Sequence, residues 1–216
     1  GLRRDRRETL TLMQHTDIRL DRLDRVVVTA AQMSQIEGRM FEAGMPVAAL
    51  MEKVAGLIAR RTIALYPTAA RVGVLVGPGH NGGDALVVAR ELSLRGYDVR
   101  IYRPLHKSKM LTEQHARYAG SLGIPFTESL DLLLGCDVLI DGLFGFGLER
   151  PIEGELAVAI DRLNRSHIPT ISIDLPSGLH TDTGEVLGTA IRATHTLCLG
   201  LWKLACFQER ALSYLG

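Results

Sequence analysis

The stretch Val72-Gly-Val-Leu-Val-Gly-Pro-Gly-His-Asn-Gly-Gly-Asp84 decides the fold. The short apolar run that opens it predicts a buried strand at 72–76. A glycine-rich loop follows the strand, and the pattern after the loop predicts a helix over 83–95. A buried strand that passes through such a loop into a helix indicates an α/β protein.

Strand and helix patterns continue to alternate on both sides of this stretch. Helices are predicted at 29–44, 47–65, 110–122 and 156–163, and strands at 99–102, 124–126, 137–141, 170–174 and 195–199. Strands that alternate with helices pair in parallel through right-handed crossovers. This predicts a three-layer α/β/α sandwich with a Rossmann-like, mostly parallel sheet. Ligands of such sheets bind outside the carboxyl ends of the strands.

Length and composition restrict the class of protein. A chain of 216 residues suffices for one well-filled domain, which we expect at 26–216. The net charge of +1 gives no reason to expect nucleic acid or a membrane as a partner, and no apolar run approaches the roughly 20 residues of a membrane helix. Residues 1–25 are rich in Arg and Asp, and they predict a flexible N-terminal extension rather than a secretory signal.

The cysteines indicate the compartment. Cys136, Cys198 and Cys206 are odd in number and form no Cys-x-x-Cys pair. They argue against a disulfide framework or a zinc site and favour a reducing compartment, for which we expect the cytoplasm.

The first of three loops at predicted strand ends contains Gly77, Gly79 and Gly82 in the spacing Gly-x-Gly-x-x-Gly. This spacing is typical of dinucleotide-binding dehydrogenases, in which Arg103, just past the next strand, would face a 2′-phosphate. Asp84 argues against that interpretation, because a carboxylate at the start of a helix repels a pyrophosphate. The alternative role for Asp84 is to cap the helix N-terminus.

The second and third loops read Asp141-Gly-Leu-Phe-Gly-Phe-Gly-Leu-Glu-Arg-Pro151 and Asp174-Leu-Pro-Ser-Gly-Leu-His180. Asp174 closes a strand, where it either transfers a proton or binds a hydroxyl, or else stabilises its own turn. Ser177 lacks the Gly-x-Ser-x-Gly elbow of serine hydrolases, which makes that class a poor match.

Polar oxygens follow three neighbouring strands of the predicted sheet. Asn81, Asp141 and the Pro-Ser-Gly turn together would form a cage of oxygen ligands, which suits a hard cation. The residue types leave potassium, sodium and magnesium open.

Three motifs in the same order give the chain a family resemblance. The segments GPGHNGGD, DGLFGFGLERP and DLPSGLHTDTG together resemble the NAD(P)H-hydrate epimerase family, the YjeF N-terminal domain, and the likeness spans 27–203. Thr29-Ala-Ala-Gln-Met33, Leu50-Met-Glu52 and Lys203 give weaker support. The resemblance implies an isomerase of nucleotide repair that interconverts the R and S epimers of hydrated NADH and NADPH. It also implies NAD(P)H-hydrate dehydratase as a functional partner.

The resemblance also assigns residues. It implies a potassium ion as cofactor, held by Asn81, Asp141 and Ser177. It implies substrate contacts from all three loops, namely His80, Asn81, Gly82, Gly83, Asp84, Gly145, Phe146, Gly147, Leu148, Glu149, Arg150, Pro151 and Asp174. For catalysis we expect Asp174 to be the acid/base, tuned by Lys203. His80 and Ala85 replace the family's usual Asn and Gly, and they put substrate affinity in question.

Two alternatives stay open. Non-catalytic uses among relatives make a nucleotide-binding or protein-interaction module on the same fold a second hypothesis. An NADP-dependent dehydrogenase is a third, although it explains the first loop alone. We further expect a domain cut from a longer protein with a C-terminal dehydratase domain. The sequence leaves the oligomeric state open and allows a homodimer.

Overall fold

The protein is described by a computed structural model that covers residues 26–216, so the extension predicted at 1–25 lies outside the described residues. Eight strands are found there: β1 (Val27–Val28), β2 (Arg71–Val76), β3 (Asp98–Tyr102), β4 (Phe126–Thr127), β5 (Val138–Gly142), β6 (Thr170–Ile173), β7 (His195–Leu197) and β8 (Trp202–Lys203). Six of them form one parallel sheet in the order β4-β3-β2-β5-β6-β7. The remaining two, β1 and β8, pair in parallel as a separate ribbon.

The α-helices of the described residues are α1 (Ala30–Glu42), α2 (Val47–Leu65), α3 (His80–Ser93), α4 (Met110–Ser121), α5 (Gly154–Ser166) and the short α6 (Leu212–Leu215), of which α2, α3 and α4 cover one face of the larger sheet and α5 covers the other. Within residues 26–216, none of them combines the length and the apolar character that crossing a membrane requires. The predicted α/β/α sandwich with a parallel sheet is confirmed.

Alternate side chains of strand β2 point to opposite faces of the sheet, and this explains how the sheet packs against a layer of helices on each side. Val72, Val74 and Val76 belong to the core cluster that α2, α3 and α4 complete. Leu75, between them in sequence, belongs to the opposite cluster with Ile160 of α5. Successive side chains of a strand point to opposite faces, so one short apolar strand supplies both cores. All four side chains are fully buried.

Helix α1 is fixed at its start by a capping box. The Thr29 hydroxyl accepts a hydrogen bond from the Gln32 amide at 3.1 Å, and the Gln32 side chain accepts one from the Thr29 amide at 2.9 Å. The Ala30 amide donates to Asp182 Oδ1 at 2.8 Å, which ties the helix to the chain just after the third loop. The capped helix therefore lies beside the carboxyl end of the sheet.

Several predicted boundaries need correction. Helix α3 begins at His80 with Gly79 at its N-cap position, three residues before the predicted start at Gly83. The helical turn begins early because Asn81 and the glycines after it pack inside the fold rather than lying in an open loop. The strand predicted at 124–126 is β4 at Phe126–Thr127, and the last strand of the sheet ends at Leu197 instead of residue 199. The ribbon of β1 and β8 was not predicted, because two-residue strands carry no periodicity.

The strand order brings the three loops together. Strand β2 is paired with β3 on one side and with β5 on the other. The order in which successive strands are added to the sheet therefore reverses at β2. Strands β2, β5 and β6 are neighbours and parallel, so the loops after them meet at one edge. This is the position at which ligands bind in open α/β sheets.

Candidate active site

Asp141 lies at the centre of the site and is fully buried at the carboxyl end of β5. Its Oδ1 accepts a hydrogen bond from the Ser177 hydroxyl at 2.6 Å, and its Oδ2 accepts from the Ser177 amide at 2.9 Å and the Ser172 hydroxyl at 2.7 Å. Burial raises the pKa of the Asp141 carboxyl, and these hydrogen bonds act in the opposite direction. In residues 26–216 no Lys or Arg forms a salt bridge with it, so hydrogen-bond donors alone offset the cost of burying this carboxyl.

Asn81, in the first turn of α3, supplies an unsatisfied oxygen beside this network. Its Nδ2 donates to the Ile173 carbonyl at 2.9 Å, which orients the amide. Its Oδ1 is buried without a hydrogen-bond partner. A buried acceptor without a partner is costly, and a cation would satisfy it. Asn81, Asp141 and Ser177 thus fit a hard cation in the chemistry of their oxygens.

Asp174 and Lys203 form a buried ion pair. Lys203 Nζ donates to Asp174 Oδ1 at 2.5 Å and to the Leu199 carbonyl at 2.5 Å. Asp174 directly follows β6 with φ of 72°, in the left-handed region that non-glycine residues rarely adopt. The Leu199 amide also donates to Asp174 Oδ1 at 3.1 Å. The Phe146 ring of the second loop lies 5.6 Å from Lys203 Nζ, so the second loop covers the pair.

Two further carboxyls, Asp84 and Glu37, face this ion pair. Burial, followed by the negative charges of Asp174 and Glu37, raises the pKa of Asp84 to about 8. Burial and the charge of Asp174 also raise the pKa of Glu37, while Lys203 and Lys109 lower it. Asp84 is therefore a neutral acid at pH 7, and it lies in the second turn of α3. Its predicted role as an N-terminal cap is wrong, because Gly79 occupies the N-cap position.

Glu37 and Thr181 belong to the site and were missed from the sequence. Glu37 lies one helical turn after the buried Met33, whose Cε is 3.2 Å from the position a Cβ on Gly200 would take. Helix α1 therefore packs on the turn before β8, the strand that ends at Lys203. An acidic side chain one turn after a buried methionine was the available signal. Thr181 is buried, and its hydroxyl accepts a hydrogen bond from the Gly147 amide at 2.8 Å.

The second loop lies along the outer side of the site. His180 Nε2 is 3.2 Å from Glu149 Oε2, while His180 Nδ1 accepts hydrogen bonds from the Asp182 and Thr183 amides. With Nδ1 accepting, Nε2 carries the proton and donates to Glu149. Arg150 and Pro151 are exposed, and Gly145, Phe146 and Leu148 are half-buried. The loop thus presents both an apolar and a charged surface to the opening of the site.

His80 stands at the opening between the first loop and Lys109. Burial lowers the pKa of His80, and the positive charge of Lys109 lowers it further. The Lys109 amide donates to the Pro78 carbonyl at 2.9 Å, which holds Lys109 against the first loop. A neutral imidazole and an ammonium group therefore stand side by side at the entrance.

Two glycines of the first loop, Gly77 and Gly82, are required by packing. A Cβ on Gly77 would lie 1.6 Å from the Leu143 carbonyl oxygen, and one on Gly82 would lie 2.0 Å from the Gly77 carbonyl oxygen. Close approach of backbone to backbone thus explains these two glycines without a pyrophosphate, whereas a Cβ on Gly79 would meet no atom within 4 Å. Ala85 is fully buried, and its Cβ would lie 2.3 Å from a Cβ on Gly142. Its departure from glycine is accommodated inside the protein, away from the opening.

Arg103 does not face the first loop as a free cation. Its Nη2 donates to Glu113 Oε2 at 2.5 Å and to the Ser108 hydroxyl at 2.9 Å. Its suggested role as the partner of a 2′-phosphate is therefore not supported, because the guanidinium is already paired with Glu113 of α4.

Known proteins resemble the chain over most of its length. The family described as YjeF-related protein N-terminus matches residues 47–205. A curated relative from Synechocystis sp., named bifunctional NAD(P)H-hydrate repair enzyme Nnr, is 57% identical over 194 residues, which are 89% of this chain and 37% of the relative. A relative from Limosilactobacillus fermentum, named NAD(P)H-hydrate epimerase, is 34% identical over 193 residues, which are 88% of this chain and 92% of the relative.

A solved structure shares the fold. The crystal structure of a yeast protein matches with a TM-score of 0.76 at 24% identity, over 84% of this chain and 83% of that one. The chain spans a little over a third, 37%, of the length of the bifunctional relative from Synechocystis.

Proposed function

Because the chain belongs to the family of YjeF-related N-terminal domains, we propose that it is an NAD(P)H-hydrate epimerase. This isomerase interconverts the R and S epimers of hydrated NADH and NADPH. The names of the relatives support the substrate class, and the acidic cluster at the carboxyl end of the sheet supports the chemistry. The observation that carries the proposal is the buried ion pair between Lys203 Nζ and Asp174 Oδ1 at 2.5 Å, at the edge of the sheet where the three loops meet.

The reaction requires both a proton donor and a proton acceptor. The epimeric carbon bears a hydroxyl next to the ring nitrogen, so inversion needs the hydroxyl to leave as water and water to return on the other face. Asp84, neutral at pH 7, gives a proton to the departing oxygen as the carbon–oxygen bond breaks. Asp174, paired with Lys203, takes a proton from the incoming water as the new bond forms. A proton then passes from Asp174 back to Asp84, which restores both groups.

The remaining loop residues position the substrate. We assign contacts with the nucleotide to the first loop and the start of α3, to the second loop and to Asp174, namely His80, Asn81, Gly82, Gly83, Asp84, Gly145, Phe146, Gly147, Leu148, Glu149, Arg150, Pro151 and Asp174. Arg150 and Lys109 are exposed and offer positive charge to the phosphates. Phe146 covers the Asp174–Lys203 pair and keeps bulk water from it.

A potassium ion completes the proposed site. Asn81, Asp141 and Ser177 would hold it, and the orphan Asn81 Oδ1 and the buried Asp141 carboxyl support this assignment. Bound by these residues, the ion would supply a fixed positive charge among the three loops. The Ser177 hydroxyl also accepts a hydrogen bond from the Phe144 amide at 2.9 Å, so the cation ligands and the second loop are connected.

The proposed function also suggests a partner enzyme and a cellular compartment. The bifunctional names of relatives support NAD(P)H-hydrate dehydratase as the functional partner, which consumes one of the two epimers. A reducing compartment such as the cytoplasm fits three free cysteines. A homodimer stays a prediction.

The decisive experiment supplies one purified epimer of hydrated NADPH and follows the other by chiral chromatography. We expect the second epimer to appear at a rate that depends on the amount of protein. Binding of the hydrate without interconversion would favour the interaction-module alternative. Steady loss of reduced-nicotinamide absorbance from NADPH mixed with small carbonyl compounds would favour the dehydrogenase alternative.

A further inference from the structure

Thr181 lies where the second loop meets the segment that carries Lys203. The residue is 1% exposed, and its hydroxyl accepts a hydrogen bond from the Gly147 amide of the second loop at 2.8 Å. Its carbonyl accepts another from the Ala205 amide at 2.8 Å, in the 3-10 helix at Leu204–Phe207 that follows Lys203. One buried residue thus connects the loop over the site to the chain beside the buried lysine.

The residues on either side of Thr181 make further connections between separate parts of the fold. His180 Nε2 lies 3.2 Å from Glu149 Oε2 of the second loop. Asp182 Oδ1 accepts a hydrogen bond from the Ala30 amide at 2.8 Å, at the start of helix α1. These three consecutive residues therefore contact the second loop, α1 and the segment after β8, and Thr181 is the buried one among them.

The hydroxyl of Thr181 holds the part of the second loop that covers the ion pair. Gly147 has a φ of 89°, in the left-handed region, so the chain turns sharply at the residue whose amide donates to Thr181. Phe146 directly precedes this turn, and its ring lies 5.6 Å from Lys203 Nζ. Fixing the Gly147 amide therefore also fixes the place of the Phe146 ring over the ion pair.

Other contacts of the second loop do not replace this hydrogen bond. The Phe144 amide donates to the Ser177 hydroxyl at 2.9 Å, which fixes the start of the loop. The contact between His180 and Glu149 lies further along the loop, and the Glu149 side chain is 70% exposed, so that water weakens the attraction. The middle of the loop depends on Thr181, whose hydroxyl is shielded from water.

We infer that Thr181 is a positioning residue, whose hydroxyl holds the middle of the second loop over the Asp174–Lys203 pair before the substrate binds. The effect on the substrate rests on the proposed function, whereas the effect on the loop does not. A substrate that meets a loop already in place binds without first ordering it, which lowers KM. The loop has the same position once the substrate is bound, so kcat does not depend on this hydroxyl.

The loop contact can be tested without a substrate, by NMR measurement of the exchange of the Gly147 amide with water in the full chain. Thr181→Val replaces the hydroxyl with a methyl group, and we expect exchange to become about fivefold faster, the factor that corresponds to one neutral hydrogen bond. Thr181→Ser keeps the hydroxyl and should retain slow exchange. If Thr181→Val does not fold, the smaller Thr181→Ala removes the same hydroxyl.

Thr62→Val is the matched control. It removes another buried threonine hydroxyl, which donates to the Ile58 carbonyl at 2.9 Å within α2. Exchange of the Gly147 amide should stay as in the wild type. Amides of strand β2 report any loss of global stability in each variant, which separates local opening of the second loop from unfolding of the protein.

Kinetics with one purified epimer of hydrated NADPH give the second measurement. We expect Thr181→Val to raise KM by about twofold to fivefold without changing kcat, and Thr181→Ser to restore KM. A purely structural role would lower the amount of folded protein and leave its KM unchanged. The inference is wrong if Thr181→Val leaves either the Gly147 exchange or KM as in the wild type. If the wild type interconverts no hydrate, the proposed function fails, and the exchange measurement still decides whether Thr181 holds the loop.

Discussion

Lys203 Nζ lies 2.5 Å from Asp174 Oδ1, and the two side chains are 1% and 5% exposed. The two residues come from different places in the sheet system, because Asp174 follows the buried strand β6 while Lys203 ends the two-residue strand β8. Removing both charges from water costs several kcal/mol per ion, which their attraction recovers only while both are present. The chain keeps this arrangement where the three loops meet, which ties the stability of the fold to the chemistry of the site.

Breaking this pair should destabilise the protein strongly. Lys203→Met leaves the Asp174 carboxylate buried without its partner, and we expect the free energy of unfolding to fall by about 3–5 kcal/mol. The measurement is urea unfolding followed by circular dichroism. Arg210→Met is the matched control, since it breaks an exposed pair with Glu185 at 2.8 Å that is worth at most about 1 kcal/mol. Equal losses for both variants would show that the buried pair contributes no more than a surface pair.

The pKa of Asp84 predicts a pH dependence of stability. The carboxyl titrates at about 8 in the folded protein against 3.8 as the reference value. Between these values the folded state holds a proton that the unfolded state has lost, so this group makes stability fall as pH rises, by at most about 1.4 kcal/mol per pH unit. Asp84→Asn should remove this slope and be more stable than the wild type at high pH.

The control for this prediction is an exposed carboxyl, and unfolding in urea across the range from about pH 5 to about pH 8 provides the measurement. Glu209→Gln, on the exposed 3-10 helix at Glu209–Ala211, should keep the slope of the wild type. A parallel slope in Asp84→Asn would contradict the raised pKa. If Asp84 is the proton donor, epimerisation by the wild type should also decline as pH rises through about 8.

Potassium should stabilise the wild type through the Asn81 oxygen. Because the ion binds only the folded state, the thermal midpoint should rise with potassium chloride more than with choline chloride at the same ionic strength. Asn81→Leu removes the orphan Oδ1 and should abolish the difference between the two salts, and Asp141→Ala should weaken it. A wild-type midpoint that is the same in both salts at every concentration would rule out the cage.

The sequence was sufficient to predict the layers and the loops but not the contacts that join distant segments. Buried parallel strands such as 72–76 can be recognised in the sequence as apolar runs. Asp141 and Asp174 directly follow such runs. Glu37 follows no apolar run, and its one signal is its position a helical turn after Met33, because it reaches the site through the packing of α1 on Gly200. The ribbon that places Lys203 has two residues per strand, too few for any periodicity.

The first loop shows how a local motif can mislead. Its glycine spacing is typical of pyrophosphate binding, yet Gly77 and Gly82 are explained by close backbone contacts within the protein. A glycine spacing shows where side chains are absent, but it does not show whether a ligand or another part of the protein lies close to the backbone there. The identity of that neighbour depends on the tertiary fold, here on Leu143 from the loop after β5.

Asp174 is the residue at which the enzyme and the interaction module make different predictions. Asp174→Asn keeps the shape of the side chain but removes its capacity to accept a proton, so epimerisation should fall by about a hundredfold or more while binding of the hydrate changes far less. Asp137→Asn is the matched control, because that exposed carboxylate serves structure alone by accepting hydrogen bonds from the Ala70 and Arg71 amides at 2.8 Å. It should cost stability and leave the rate per folded molecule intact. If Asp174→Asn behaves in the same way, turning over near the wild-type rate once folded, then Asp174 shapes its turn and the proton acceptor is another group.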